Sequence, residues 1–297
     1  MREVSTYLLL ILSLVFFAPE CSAQAVGDDK QEQAGKKKTK RKRKKVRLPE
    51  IDLSHWKVTI PEGDPYEVSP PEILYYAKNQ RLKPYMYNDS VKGAIVFRAV
   101  PMATTANTKY SRSELREQMQ AGDNRVNWTF AQGGTMKGRL AMKAVSRDEE
   151  GKYHRVIIMQ IHGRLTNEQR DLIGQKDNNA PPILKIYWQN GKIRVKTKQL
   201  KDLEVSDTEI LHKEAWTDDE GFNFEEEVGF RPFKLKVEAS EGKLVVSLNG
   251  TEYKSYKGIH MEKWGIFENY FKAGNYLQTR DKNAFAEVMY YELEVTH

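Results

Sequence analysis

The chain has 297 residues, a mass of 34.4 kDa and a formal net charge of +7, with 39% hydrophobic, 10% aromatic and 30% charged residues and a mean hydropathy of −0.69. With glycine added, the apolar share is that of a globular protein, which excludes wholesale disorder, and no apolar run beyond the N-terminus approaches the ~18 residues of a membrane span. The single cysteine excludes a disulfide scaffold, a zinc finger and an iron–sulfur site.

Leu8 to Ala18 is apolar but short for a membrane span, and Pro19 and the small residues Cys21-Ser22-Ala23-Gln24-Ala25 follow it. That order predicts a secretory signal peptide over residues 1–23, cut after Ala23 or Ala25, and therefore a secreted protein, extracellular or periplasmic. Cys21 raises the question of a lipid anchor, but Ala18, Pro19 and Glu20 do not make a lipoprotein box. Residues 24–47 are almost free of apolar side chains, and Lys36 to Arg47 holds ten Lys/Arg and no acid. The plain expectation is a disordered basic linker; the sharper one is a tether to an anionic polymer or surface. Twelve Lys/Arg meet five acids over residues 1–47, so the chain from Leu48 onward is net zero. Any anion site in that body must be a local arrangement of charge.

Residues 48–297 are expected to form one all-β domain. Pro71 to Leu82 and Thr166 to Ile173 suit short helices, and no long amphipathic helix is predicted. Ile183 to Trp188 and Ile193 to Thr197 flank Asn190-Gly191, a hairpin turn signal; Lys243 to Leu248 and Thr251 to Lys254 flank a second, Asn249-Gly250. Lys234 to Glu238 alternates, and Ala286 to Val295 supplies a last strand. Strand after strand with Gly and Asn turns argues a two-sheet sandwich or jelly roll, not a parallel α/β fold. Gly163 to Pro182 is a candidate long loop, and its Arg164 and Arg170 face either substrate or solvent.

Three segments group polar side chains on one strand face, where residues i, i+2 and i+4 fall together. Arg112, Glu114 and Arg116 share a face, with Leu115 opposite; that face is either exposed or lines a polar cleft, the Glu holding the arginines by forked hydrogen bonds. Val156, Ile158, Gln160 and His162 share another, apolar first and polar at its end, opposite Ile157, Met159 and Ile161. A Gln-x-His pair at a strand end is as often functional as structural. Tyr270, Lys272, Gly274, Tyr276 and Gln278 share a third, where Gly274 leaves room for an approaching group. Lys192, Arg194, Lys196 and Lys198 form a basic stripe, either a lysine-guarded edge or a cationic wall.

Together these segments resemble the signatures of the alginate lyases of polysaccharide lyase family 7: R-[ST]-E-L-R at Arg112 to Arg116, Q-[IV]-H at Gln160 to His162, and Y-F-K-A-G-x-Y-N-Q at Tyr270 to Gln278. The third departs at Leu277, where the family usually has Asn; Leu277 should point away from Tyr276. Ile51 to Pro61 also looks like the start of this family's domain. The resemblance implies a jelly-roll β-sandwich, concanavalin-like, with a concave substrate-binding sheet. It implies cleavage of a 1,4-linked uronate polymer by β-elimination, which leaves an unsaturated uronate end.

The obstacle in that reaction is the substrate carboxylate, which makes the neighbouring C5–H a poor acid until its charge is neutralised. The resemblance assigns this task to Arg112 and Gln160. It makes His162 the base for guluronate, and Tyr276 the acid to O4 and the base for mannuronate. Glu114, Arg116, Lys272 and Gln278 would position substrate, with Lys196 and Lys198 from the basic stripe. The Ile variant of Q-[IV]-H is linked with action on guluronate, alone or besides mannuronate. No metal or cofactor is expected. The expected partner is an anionic polysaccharide, alginate, with no nucleic acid and no membrane span, and the protein is expected to be a monomer. A lyase for another polyuronate such as glucuronan, and a non-catalytic lectin-like module, are the competing readings. A glycoside hydrolase would need two converging carboxylates; Glu114 and Glu117 fall on opposite faces, and Glu225-Glu226-Glu227 follow a Gly-Phe-Asn-Phe loop with no alternating acid cluster on a strand.

Overall fold

A strand buries one face by alternating apolar and polar side chains, and this chain does so through eighteen strands among its described residues. The structure is a computed structural model that describes residues 49–297 apart from 103 and 105–107. The expected signal peptide, the basic linker and Leu48 lie outside the described residues.

In chain order the first strands are β1 (Glu50–Ile51), β2 (Trp56–Ile60), β3 (Tyr66–Val68), β4 (Met86–Asp89), β5 (Ala94–Ala99), β6 (Arg112–Glu117), β7 (Trp128–Thr129), β8 (Gly134–Val145) and β9 (Val156–Arg164). After helix α1 (Asn167–Leu172) come β10 (Asn179–Gln189), β11 (Lys192–Leu200), β12 (Trp216–Asp218), β13 (Phe222–Glu227), β14 (Phe233–Ser240), β15 (Lys243–Leu248) and β16 (Glu252–Lys257). Helix α2 (Ile259–Lys263), β17 (Glu268–Leu277) and β18 (Ala286–Thr296) follow. Eight strands make one sheet in the order β16-β15-β14-β8-β18-β5-β4, with β1 parallel to β18. Ten make the other in the order β12-β11-β10-β9-β17-β6-β2-β3, with β13 on β11 and β7 on β17. All pairs but β1–β18 are antiparallel, and the two sheets form a jelly-roll sandwich.

The core lies between the sheets. Phe97, Phe271 and Ile60 are fully buried there, each worth about 1.5–3 kcal/mol of apolar burial. Polar stitches also cross the core. Asn275 is wholly buried and its amide donates to Phe97 O at 3.0 Å and Ala286 O at 2.7 Å. The Tyr290 hydroxyl donates to Ile158 O and accepts from Gly274 N. Leu277 packs in the core, opposite the Tyr276 face as expected.

Both hairpin expectations hold: Asn190-Gly191 and Asn249-Gly250 all take the positive φ of tight hairpin turns. The two short helices also form. Glu72–Lys78 is a 3-10 helix that buries Ile73 and Tyr76. Helix α1 starts at a Thr166–Gln169 capping box. The expected loop from Gly163 to Pro182 is shorter than its sequence suggested, because β9 runs on to Arg164 and β10 begins at Asn179. Arg164 pairs with Glu268, and Arg170 with Asp171 at 2.7 Å. Among the described residues no helix is long and apolar enough to cross a membrane.

Strand β9 corrects one expectation. Val156 and Ile158 enter the core, but so do Met159 and Ile161. The ladders to both neighbours shift between Ile157 and Met159, and a slip of one residue flips every side chain beyond it. Gln160 and His162 therefore share their face with Ile157, not with Val156 and Ile158.

Candidate active site

The outer face of the ten-stranded sheet holds a cleft of about 430 Å³. Among the described residues its walls include Lys109, Arg112, Lys185 and Lys272 and no carboxylate. A larger depression of about 700 Å³ lies on the eight-stranded sheet, but there acids pair off the cations: Lys137 with Glu294 at 3.8 Å, Arg139 with Glu292 at 2.5 Å and Lys236 with Glu238 at 2.6 Å. In a body of zero net charge, the smaller cleft presents cations at its wall while the acids that pair with three of them, Glu114 and Asp218, are not part of that wall.

Register explains why distant segments meet there. Strand β17 sets Lys272 opposite Arg116, Gly274 opposite Glu114 and Tyr276 opposite Arg112; on its other edge Lys272 faces Gln160. The buried Glu114 carboxylate is the hub. Its Oε1 accepts from Gln160 Nε2 at 2.6 Å, its Oε2 pairs with Lys272, and Arg112 Nε stands 3.7 Å away. A carboxylate stripped of water is costly unless so partnered, and in return it fixes Gln160 and Lys272, while Arg112 Nε, with no hydrogen bond of its own, is attracted by charge alone.

Gly274 makes this register possible. A Cβ there would stand 2.7 Å from Ser113 O and 2.9 Å from Glu114 Cα, and its φ is +140°. The room at Gly274 is taken by the backbone of β6, not by an approaching ligand.

His162 is half-buried with its ring stacked on Tyr270, centroids 5.2 Å apart and planes 14° apart. Its Nδ1 lies 3.0 Å from Gly163 O. A carbonyl only accepts, so Nδ1 carries the hydrogen and Nε2 keeps its lone pair. Burial, then the charges of Lys272, Arg112 and Arg116, push the imidazole pKa down to about 3, so it is neutral at ordinary pH. Burial, with help from Arg112 and Lys57 and against the Glu114 charge, lowers Lys272 to about 8. Burial and the Glu114 charge raise the Tyr276 phenol, while Arg112 and the backbone at Tyr110 and Lys109 work the other way. Tyr276 is thus protonated where His162 is neutral.

Of the ten residues singled out in the sequence, Arg112, Gln160, His162, Lys272, Tyr276 and Gln278 line this cleft. Glu114 lies beneath it. Arg116 turns aside: its guanidinium donates to Glu117 O at 2.5 Å, Asn124 O at 2.9 Å and Asn127 Oδ1 at 2.8 Å. Lys198 is tied to Asp218 at 2.8 Å, and Asp218 also holds Lys185 at 2.6 Å. Burial opposes the Asp218 charge, but those two lysines outweigh it and hold its pKa below the usual range. Arg194 bonds Glu220 O and Asn223, so two of the four cations of the basic stripe are engaged within the protein, and Lys196 is not among the cleft walls.

Sequence reasoning missed Lys185, Tyr187, Lys109 and Tyr110, all in the cleft wall. Lys185 and Tyr187 alternate with Ile186 on a strand already recognised, and that alternation was the available signal. Lys109 and Tyr110 precede β6 in irregular chain, where no periodicity marks them.

A family model described as alginate lyase matches residues 51–297. An alginate lyase of Klebsiella pneumoniae is 26% identical over 304 aligned positions, covering 83% of this chain and 90% of that one. Among solved structures, a variant of the family 7 alginate lyase A1-II′ in complex with product is 28% identical with a TM-score of 0.67, covering 83% of this chain and 96% of that one. The alginate lyase from Pseudomonas aeruginosa, 24% identical with a TM-score of 0.61 over 83% of this chain and 100% of that one, shares the fold. With the three signature segments meeting at one cleft and a family match running from Ile51 to His297, the chain belongs to the alginate lyases of polysaccharide lyase family 7.

Proposed function

We infer that this protein cleaves alginate by β-elimination in the cleft of the ten-stranded sheet. The observation that carries the reading is the juxtaposition of an amide and an ammonium bound to one buried carboxylate, with a guanidinium 3.7 Å from it, beside an imidazole with a free Nε2 and a protonated phenol.

Arg112 and Gln160, with Lys272 beside them, receive the carboxylate of the sugar to be cleaved. Neutralising it acidifies C5–H and stabilises the enolate-like charge that follows. His162 Nε2 takes the C5 proton. The electron pair of that bond becomes the C4–C5 double bond as the C4–O4 bond breaks, and Tyr276 gives its proton to O4. The same substrate carboxylate offsets the cations that depress the imidazole, so the base strengthens when substrate is bound. Where the C5 proton lies on the phenol side, as in mannuronate, Tyr276 serves as base as well as acid. Guluronate is the preferred unit, a reading supported by Ile161 in the Gln-Ile-His segment. Export is supported by the apolar Leu8 to Ala18 and the small residues after it.

Digestion of pure guluronate and mannuronate blocks, followed by ultraviolet absorbance and product sizing, tests this. Absorbance should rise as unsaturated ends form, faster on guluronate. His162→Ala should lower guluronate turnover by at least about 100-fold, the usual weight of a general base, while polymer still binds. Binding with no absorbance rise in the unaltered protein would make it a lectin-like module, and normal turnover by His162→Ala would refute the base.

A further inference from the structure

We propose that Tyr270 and Arg116 are positioning residues for His162: a guanidinium–phenol–imidazole stack that holds Nε2 toward the sugar, with Arg116 outside the substrate contacts. This rests on His162 being the base of the reaction above.

The Arg116 guanidinium carbon lies 4.1 Å from the centroid of the Tyr270 ring, and the Tyr270 ring stacks on His162 at 5.2 Å and 14°. Three acceptors fix the guanidinium: Glu117 O within its own strand, and Asn124 O and Asn127 Oδ1 from the loop after β6. Those bonds hold it off the cleft, and it is not among the cleft walls. Its remaining use is the aromatic ring beside it. An imidazole has two torsions. The Nδ1–H bond to Gly163 O settles which nitrogen is free but leaves the ring room to swing about that contact. A near-coplanar neighbour removes the swing. That neighbour must itself be held, and Arg116 anchors it by a cation–π contact. The chain of support runs from the Asn124–Asn127 loop through Arg116 and Tyr270 to the base.

The stack also sets the electrostatics of the imidazole. Lys272 from β17 and Arg112 and Arg116 from β6 are the charged groups that face it, Tyr270 is the titratable one, and β10 sets only Pro182 opposite it. Opening the stack admits water and weakens both burial and the Arg116 charge.

Three variants test the stack. Tyr270→Leu removes the flat surface: kcat should fall about 10–100-fold, the scale of a misplaced catalytic group, with KM within about twofold. Tyr270→Phe keeps the surface and should recover most of that loss. Arg116→Lys keeps the charge but not the planar fork, and should lower kcat with KM unchanged; it decides the matter if Tyr270→Leu does not fold. A raised KM in Arg116→Lys would restore Arg116 to the substrate contacts and overturn the proposal. So would a Tyr270→Phe variant as impaired as Tyr270→Leu, since the hydroxyl would then be the working part. A substrate-independent arm is the His162 imidazole followed by NMR in the free protein: it should titrate at higher pH in Tyr270→Leu than in the unaltered chain. An unchanged titration sinks the stack. Absence of lyase activity in the unaltered chain would instead sink the reading of function.

Discussion

At Lys272 a single side chain is set by competition between burial and one carboxylate. Burial disfavours the ammonium, Arg112 and Lys57 repel it, and Glu114 pulls the other way; the balance is a pKa of about 8. Below that value the cleft offers a full ammonium to a uronate. Above it the ammonium is neutral and the attraction weakens. The kcat/KM profile, which reports groups of the free enzyme, should therefore decline as pH rises through about 8 at constant ionic strength. Tyr276 does not cause that decline, because its phenol is raised and stays protonated there. Lys272→Arg should push the decline beyond pH 10, since a guanidinium keeps its proton above ~12. A decline at the same pH in Lys272→Arg would assign it to another group.

At the scale of a strand, the decisive contact is the close approach of β17 and β6. Gly274→Ala would put a methyl 2.7 Å from Ser113 O and 2.9 Å from Glu114 Cα, both backbone atoms that cannot swing away, at a φ of +140°. Overpacking of this kind costs about 1–3 kcal/mol, and it falls on the pairing that sets Lys272 and Tyr276 against Arg116 and Arg112. Urea unfolding of Gly274→Ala should show that loss together with reduced turnover; full stability would mean the strands do not need to lie so close. Sequence periodicity showed which residues face the cleft on β6 and β17, because both strands alternate regularly. It failed on β9, where both ladders slip between Ile157 and Met159: against β10 the extra residue lies in β9, against β17 it lies in β17, and an alternation count along β9 alone cannot show which neighbours force it. Periodicity also tells face but not depth. Glu114 and Arg116 share the face of Arg112 as expected, yet one lies under the cleft and the other turns to a loop. Lys185 and Tyr187 enter the cleft because β10 is the neighbour of β9, and neighbours across a sheet are long-range facts.

At the scale of the molecule, the cleft face is braced from the opposite side of the same strands. Glu117 follows Arg116 on β6 and points inward. Its Oε2 accepts from Trp128 Nε1 at 3.0 Å and from Phe271 N at 2.9 Å, and its Oε1 lies 2.6 Å from His297 Nε2. The His297 ring packs against Trp128 and Phe271, centroids 5.4 and 6.0 Å away, and its Nδ1 lies 3.1 Å from Gly133 O. A carboxylate and a carbonyl both accept, so the imidazole satisfies both only as imidazolium. Burial opposes that charge, but the Glu117 bond and charge outweigh it and raise the His297 pKa above its ordinary value. A raised folded pKa means the contribution is complete below the unfolded value of ~6.5 and is lost as pH climbs through the folded one. Removing the ring strips a partner from a buried carboxylate, a loss of about 1–3 kcal/mol. Urea unfolding of the unaltered chain and His297→Ala should accordingly differ by that amount at pH 6 and by less at pH 9. A gap of equal size at both would show that His297 contributes only its packing against Trp128 and Phe271, and that the charged bond to Glu117 does not brace β6 and β17 beneath the cleft.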